Sequence, residues 1–537
     1  MGAGHTMVTM SQQHRPVPTS AQETAPEAAA AGSFPSSNPS QSPREPLSPR
    51  PQVRPGSAWS FPAATTQQWD NGLTVVRVPM PGQRIISAEL ALDAPLGFEP
   101  VGREGVASLV VRSLDEGTVD HPGAALAEAM ESIGASYSGS AGMASTIVGV
   151  DVPATRVDGA LELFCEVVAR SALDRADVAR QLDLGQASLA QVAQRGPSLA
   201  SLAAARAVWA PGAREALPTL GTMASLARSD AEAAHEFWQR WWRPRGGVFV
   251  VSGEGVESLD LSTFESWQGV EEVARWQVGG GVAGEPADSG VPGVPGEPGV
   301  AGEASVTDGP GVSRQPAAAS ARLRLDGPTV VLVDRPEAVQ ADVRAQLVTV
   351  GRGDQRWPAL RVAAGALGGT FGSRLNTVLR EEKGWSYGVG MGVSPLPDGG
   401  MATVSGAFRT EVAARAVAQM LEILTSGPDL SAGEVGAARD HMVGLAPLQY
   451  DSAGAVAHQV AVLVRAGLEP GWVDDYLAHL AAVEARAAND AWHELLAGGP
   501  WRIGISGPAS ELAGPLSELG LDVEVVTPDD LLRGEAA

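Results

Sequence analysis

The 537-residue chain holds one cysteine, Cys165, which excludes an internal disulfide and any metal site built on several thiolates. It sits in the apolar run Leu161 to Val168 and reads as a core thiol. Aromatic residues are scarce at 5%, with only 4 tyrosines, so the 44% apolar fraction rests on small aliphatic side chains. Basic residues are outnumbered, 38 against 62 acidic, and the formal charge of −24 repels phosphate backbones and anionic lipid surfaces. Nucleic acid and membrane are therefore not expected partners. The first 18 residues lack the run of roughly 7 to 15 apolar residues of a secretory signal, and no later run is long enough to span a bilayer, so a cytoplasmic location is expected.

Residues 1–60 are rich in Ser, Pro and Ala, a composition that cannot bury enough apolar area to offset chain entropy, and a disordered tail is expected. Residues 279–322 alternate Gly, Pro, Glu and Val without the strict triplet period of collagen and read as a flexible linker. Two domains follow, 61–278 and 323–537, and they look like repeats of one unit. Gly72-Leu73-Thr74-Val75-Val76 returns as Gly327-Pro328-Thr329-Val330-Val331, an offset of 255 residues (72 to 327). The closing Val250-Val251-Ser252-Gly253 returns as Gly504-Ile505-Ser506-Gly507, an offset of 254 (252 to 506).

Each repeat passes through the same periodicities: an alternating strand (87–92; 344–350), a helical pattern (106–114; 359–380), a second β-like stretch (145–152; 401–407) and another helix (157–169; 412–425). Helices grouped between strands predict an α+β unit whose helices cover a largely antiparallel sheet. A composition-based reading further predicts that cleavage between the repeats releases two stable fragments.

The second repeat contains Leu367-Gly368-Gly369-Thr370-Phe371-Gly372-Ser373-Arg374-Leu375, followed by Leu379-Arg380-Glu381-Glu382-Lys383-Gly384-Trp385-Ser386-Tyr387. The Walker ending Gly-Lys-Ser/Thr is missing, so the glycines are expected to form a turn within a helical hairpin, not a phosphate loop. This stretch resembles the signature of the C-terminal repeat in the pitrilysin/insulinase family of inverzincin metallopeptidases, and the resemblance extends over most of residues 70–278 and 323–535. It implies a two-repeat clamshell and a zinc site in the N-terminal repeat. There a helix carries H-x-x-E-H, two ligating histidines on one face and a glutamate as general base, with a distant glutamate completing the coordination.

The corresponding stretch here is Gly105-Val106-Ala107-Ser108-Leu109-Val110-Val111-Arg112-Ser113-Leu114-Asp115-Glu116-Gly117-Thr118. Gly105, Ala107, Leu114, Gly117 and Thr118 fit the family frame, while Ser108, Val111 and Arg112 fall on the histidine, glutamate and histidine positions. The distant glutamate would fall near Ser188. Serine is a poor zinc ligand, valine carries no proton, and arginine sets a fixed charge where a dication belongs. No histidine has another four residues away, and His493-Glu494 is followed by Ala497 where H-E-x-x-H needs its second histidine. The resemblance thus implies a chain without catalytic or metal-ligating residues, and without a cofactor of its own.

In the resembled family an arginine and a tyrosine of the C-terminal repeat, seven residues apart, hold the substrate backbone and assist the tetrahedral intermediate. Arg380 and Tyr387 have that spacing, and guanidinium and phenol donors suit such a clamp. The competing expectation pairs Arg380 with Glu381 or Glu382 at a helix end and half-buries Tyr387 in a strand. Two-repeat members of the family assemble in pairs, so the implied role is the substrate-binding, non-catalytic subunit of a heterodimeric zinc endopeptidase acting on peptides or unfolded proteins. Zinc would sit in a related partner subunit with intact H-x-x-E-H. A purely structural or binding protein of this fold is the alternative, and an active peptidase with an unrecognised metal site finds no ligand set.

Overall fold

The computed structural model describes residues 59–270 and 322–534. The expected tail and linker lie outside the described residues, apart from their last positions. Those last positions are already anchored. Trp59 stacks on Tyr450 at 6.0 Å between ring centroids, and Arg322 pairs with Glu215 at 2.9 Å.

Each repeat builds a six-stranded sheet. In the first, β1 (Thr65–Gln68), β2 (Thr74–Pro79), β3 (Ile85–Leu92), β4 (Ser136–Ala141), β5 (Thr146–Pro153) and β6 (Val248–Gly253) stand in the order β1-β2-β6-β3-β5-β4. In the second, β7 (Val330–Asp334), β8 (Gln340–Thr349), β9 (Val389–Leu396), β10 (Gly399–Arg409), β11 (Arg502–Gly507) and β12 (Val523–Val526) stand in the order β12-β7-β11-β8-β10-β9. Five strands correspond in order, and the sixth comes from opposite ends: β1 precedes its repeat and runs antiparallel to β2, while β12 follows its repeat and runs parallel to β7. The remaining ladders are antiparallel except β2–β6 and β7–β11. The expected α+β architecture is therefore present twice.

One face of each sheet is covered by helices of its own repeat. Phe164, Val168 and Phe264 pack on Leu90 and Phe249 in the first, and Leu360, Ala416 and Met420 join Val343 and Ile505 in the second. The opposite faces are covered by exchange. Helix Ala453–Arg465 of the second repeat lays Val456, Ala457, Val460 and Ala461 on Val76, Val248 and Val250 of the first sheet. Helix Gly196–Val208 of the first repeat lays Leu199, Ala203 and Ala207 against Val331 and Val333 of the second. Small side chains let that helix approach β11 so closely that a Cβ at Gly504 would lie 2.1 Å from the Ala200 carbonyl oxygen.

Polar groups fix the register of the exchange. Arg206 and Arg324 share Glu524 at 2.7 and 3.2 Å, Arg465 pairs with Asp93 at 2.8 Å, and His458 meets Glu89 at 3.2 Å. Separating the repeats would expose both second faces, so the expectation of two independent fragments gives way to one interlocked body formed by the described residues of both repeats. Composition could not reveal this, because an alanine-rich helix reads alike whichever sheet it covers.

A side chain at Gly504 would push helix Gly196–Val208 off the second sheet. Gly504→Val should destabilise the chain by about 1–3 kcal/mol or more, the cost of overpacking a rigid core, as measured by urea unfolding. A neutral result would show that the exchanged helix is not held at that contact.

Candidate functional site

The helix Val106–Ser113 carries the degenerate metal motif, and its start is shaped by Gly105 and Glu99. Gly105 has φ 99°, and a Cβ there would sit 2.1 Å from the Leu220 carbonyl oxygen. The buried Glu99 carboxylate accepts the Gly105 and Ala107 N–H groups at 3.0 and 2.9 Å and pairs with Arg214 at 2.5 Å. Burial pushes the Glu99 carboxyl up, against the opposing pull of Arg214. Beyond the helix, Thr118 accepts the His121 N–H at 2.9 Å and donates to Glu166. Gly105 and Thr118 of the family frame thus do architectural work that needs no metal.

The three positions of chemistry are committed elsewhere. Ser108 is buried and donates its hydroxyl to the Thr219 carbonyl at 3.0 Å. Val111 is buried in the apolar core. Arg112 donates Nε to Gln181 Oε1 at 3.2 Å and Nη2 to the Gln181 carbonyl, and burial pushes its pKa down. The neighbouring helix, Arg175–Val192, meets Arg112 through Gln181 and Gly185, not through Ser188. Ser188 lies a turn further on, half-buried, with its hydroxyl on the Leu184 carbonyl. The facing register is therefore one to two turns earlier than sequence spacing suggests, and it too offers no carboxylate. A hydroxyl already spent as a donor, a valine and a guanidinium do not fit a zinc ion.

In the second repeat the helical pattern expected over 359–380 breaks into pieces. Helix Trp357–Ala364 widens into a π-helical turn at Gly365–Gly369, and after a break the chain resumes through Arg374–Asn376 and a second π-helical turn, Thr377–Glu382. Two side chains brace the break. Asn376 is buried, donates to the carbonyls of Thr370 and Val389, each at 3.0 Å, and accepts the Val389 N–H at 2.9 Å, pinning the start of β9. Arg374 forks onto Glu434 at 2.8 and 2.9 Å and also donates to the Pro428 and Asp429 carbonyls. Those bonds, with donors from Ser431, hold the Glu434 carboxyl down at about 2 in spite of its partial burial.

On this braced platform Arg380 lies over the Phe371 ring, 3.2 Å from its centroid, and pairs with Glu381 at 2.6 Å. The ion pair is the one expected of a helix-end arginine. Tyr387 is not half-buried in a strand: it is 95% exposed, ahead of β9. Phe371 is 77% exposed, and Phe371 and Tyr387 are the two aromatics among the exposed large hydrophobics of the described residues. Trp385 lies between them in sequence, flanked by Lys383 and Arg415 at 5.7 and 5.4 Å from its ring.

A cavity of about 1170 Å³ opens between the repeats, walled by Ser140, Met143 and Ser145 of the β4–β5 hairpin on one side and by Arg352, Arg356 and Pro397 on the other. Neither Arg380 nor Tyr387 lines it. The edge strands β4 and β9 each leave one side unpaired.

Removing the Asn376 amide would strand the Val389 N–H and two carbonyls beneath the platform. Asn376→Ala should cost about 1–3 kcal/mol, the penalty of an unsatisfied buried donor. Hydrogen exchange should quicken at Val389 ahead of the rest of β9. Unchanged protection there would contradict the bracing role.

Comparison with known proteins agrees with this geometry. The family model for insulinase (peptidase family M16) matches residues 81–215, and that for the peptidase M16 inactive domain matches residues 229–439. No curated protein matches the chain. Among solved structures, a peptidase M16 inactive domain from Pseudomonas fluorescens is 20% identical with a TM-score of 0.65, covering 83% of this chain and 98% of its own. A protease from Helicobacter pylori is 15% identical with a TM-score of 0.67, covering 83% and 100%. A chain of complex III2 from Candida albicans is 12% identical with a TM-score of 0.62, covering 86% and 100%. With both halves matched by models of one family and the doubled fold shared with its structures, the chain belongs to the M16, or insulinase, peptidase family.

Proposed function

We propose that this chain is the non-catalytic, substrate-binding subunit of a cytoplasmic heterodimeric zinc endopeptidase that acts on peptides or unfolded proteins. The observation that supports the reading is in the second repeat, where Arg380 lies against the exposed Phe371 ring on a segment braced by Asn376 and Arg374, and Tyr387 is exposed ahead of β9. Exposed aromatics beside an arginine are the residue types that dominate protein and peptide contacts. The helix Val106–Ser113 supplies the complementary support, since Ser108, Val111 and Arg112 leave neither ligand nor base.

In this reading zinc and general base belong to a related partner subunit with intact H-x-x-E-H. Arg380, whose own side chain is largely covered, exchanges its half-exposed partner Glu381 for a peptide carbonyl. Tyr387 donates its phenol O–H to the same substrate. A purely structural role is the second reading, favoured by the Arg380–Glu381 pair, which satisfies the guanidinium without any substrate, and by the fold shared with the complex III2 chain.

Reconstitution with the H-x-x-E-H partner separates the two. Tyr387→Phe should lower turnover by on the order of 100-fold, the cost of losing one such donor, with assembly intact. Arg380→Ala should in addition raise KM by loosening the clamp. Wild-type rates from both variants would make the structural reading the better one.

A further inference from the structure

A smaller cavity of about 470 Å³ lies within the second repeat, apart from the Arg380 platform, and two arginines face it. Arg352 sits on the turn after β8, and Arg361 on helix Trp357–Ala364. Arg361 donates one N–H to the Val393 carbonyl at 2.8 Å. Arg352 has no hydrogen-bond or ion-pair partner among the described residues, and neither arginine meets a carboxylate. Acids are close at hand, since Arg356, four residues after Arg352, holds both Asp354 and Glu494 at 2.7 Å.

In a chain with a net charge of −24, no aspartate or glutamate lines this cavity. Two half-buried guanidiniums thus share a space with no carboxylate on its wall, while Arg352 also borders the inter-repeat cavity, whose acids Asp354 and Glu494 are paired with Arg356. Burial lowers the pKa of Arg352, and the Arg361 charge beside it lowers it further.

The phenols complete the constellation. Tyr450 ends helix Ala432–Gln449, and Tyr476 stacks on Trp472 at 4.7 Å. The Tyr476 hydroxyl is buried and has no hydrogen-bond partner among the described residues. Burial raises the pKa of both phenols, and both arginines pull each of them down, so the two hydroxyls lie in the field of the two guanidiniums. An unspent O–H donor, an unspent guanidinium and a second guanidinium with N–H groups to spare converge on one space that lacks an acceptor.

We propose that this cavity is a binding site for a small oxyanion, a molecule bearing a phosphate or carboxylate group held by Arg352, Arg361 and Tyr476. Its volume falls in the range of small-molecule sites, about 300–1,000 Å³, and its walls of Trp357, Trp472 and Tyr450 would cover the apolar remainder of such a molecule. No residue of the degenerate zinc motif lines the site.

Titration calorimetry on the full chain at constant ionic strength, with sodium chloride as background, tests it. The probes are inorganic phosphate, pyrophosphate and citrate. One equivalent should bind saturably from at least one probe, and whether it is a phosphate or citrate identifies the recognised group. Arg352→Gln, which removes no hydrogen bond or ion pair within the described residues, should weaken that binding at least tenfold, and Tyr476→Phe should weaken it several-fold. Arg84→Gln, an exposed arginine on the first repeat, should leave it unchanged. No saturable binding by any of the three probes, or equal binding by wild type, Arg352→Gln and Tyr476→Phe, overturns the proposal.

Discussion

The exchanged helices hold this molecule together. Each sheet has two apolar faces and only one set of helices from its own repeat, and a bare second face would present a large hydrophobic surface to water. Helix Gly196–Val208 and helix Ala453–Arg465 each close the other repeat's sheet, so neither repeat has a complete core alone. The contact of the first helix with Gly504 sets the distance at which the repeats meet. The inter-repeat cavity and its two walls follow from that docking.

Within this frame the two repeats have spent their equivalent helices differently. In the first, the helix of the family's metal motif keeps its bend at Gly105 and its Glu99 cap, while its inward groups are an engaged hydroxyl, a valine and a guanidinium hydrogen-bonded to Gln181. In the second, the corresponding helix carries Arg361 facing a polar cavity and then opens into π-helical turns, the second of which holds Arg380 against the exposed Phe371 ring. Architecture and chemistry are therefore separable: the capped helix start is satisfied by protein groups alone, whereas zinc would need lone pairs that these side chains do not offer.

Much of the fold was legible in the residues. The period-two burial of β8, the repeat offset and the order of helices and strands translate directly into the doubled sheet, because alternation and amphipathicity are local consequences of which face is buried. The break after Ala364 was not legible as more than a glycine turn, since it depends on Asn376 reaching the backbone of β9. The distant-glutamate position was set near Ser188 by spacing, whereas Arg112 meets that helix at Gln181 and Gly185, because spacing along a second helix does not fix how the two helices cross. Arg380 and Tyr387 were singled out because their spacing matches that of the resembled family, yet sequence could not distinguish an arginine free for substrate from one resting on Glu381. The oxyanion cavity left no local signal at all. Arg352, Arg361, Tyr450 and Tyr476 come from four separate elements and carry meaning only once those elements meet.

The central claim is that this chain supplies binding surface and a related chain supplies the metal. Zinc content, measured together with subunit stoichiometry in the complex isolated from the cells that make it, tests that claim most directly. The account predicts one zinc ion for each pair of chains, bound by the subunit that is not this one, with peptide cleavage travelling with the pair. Zinc bound one-to-one by this chain, or a chain that purifies without any related subunit, would contradict it.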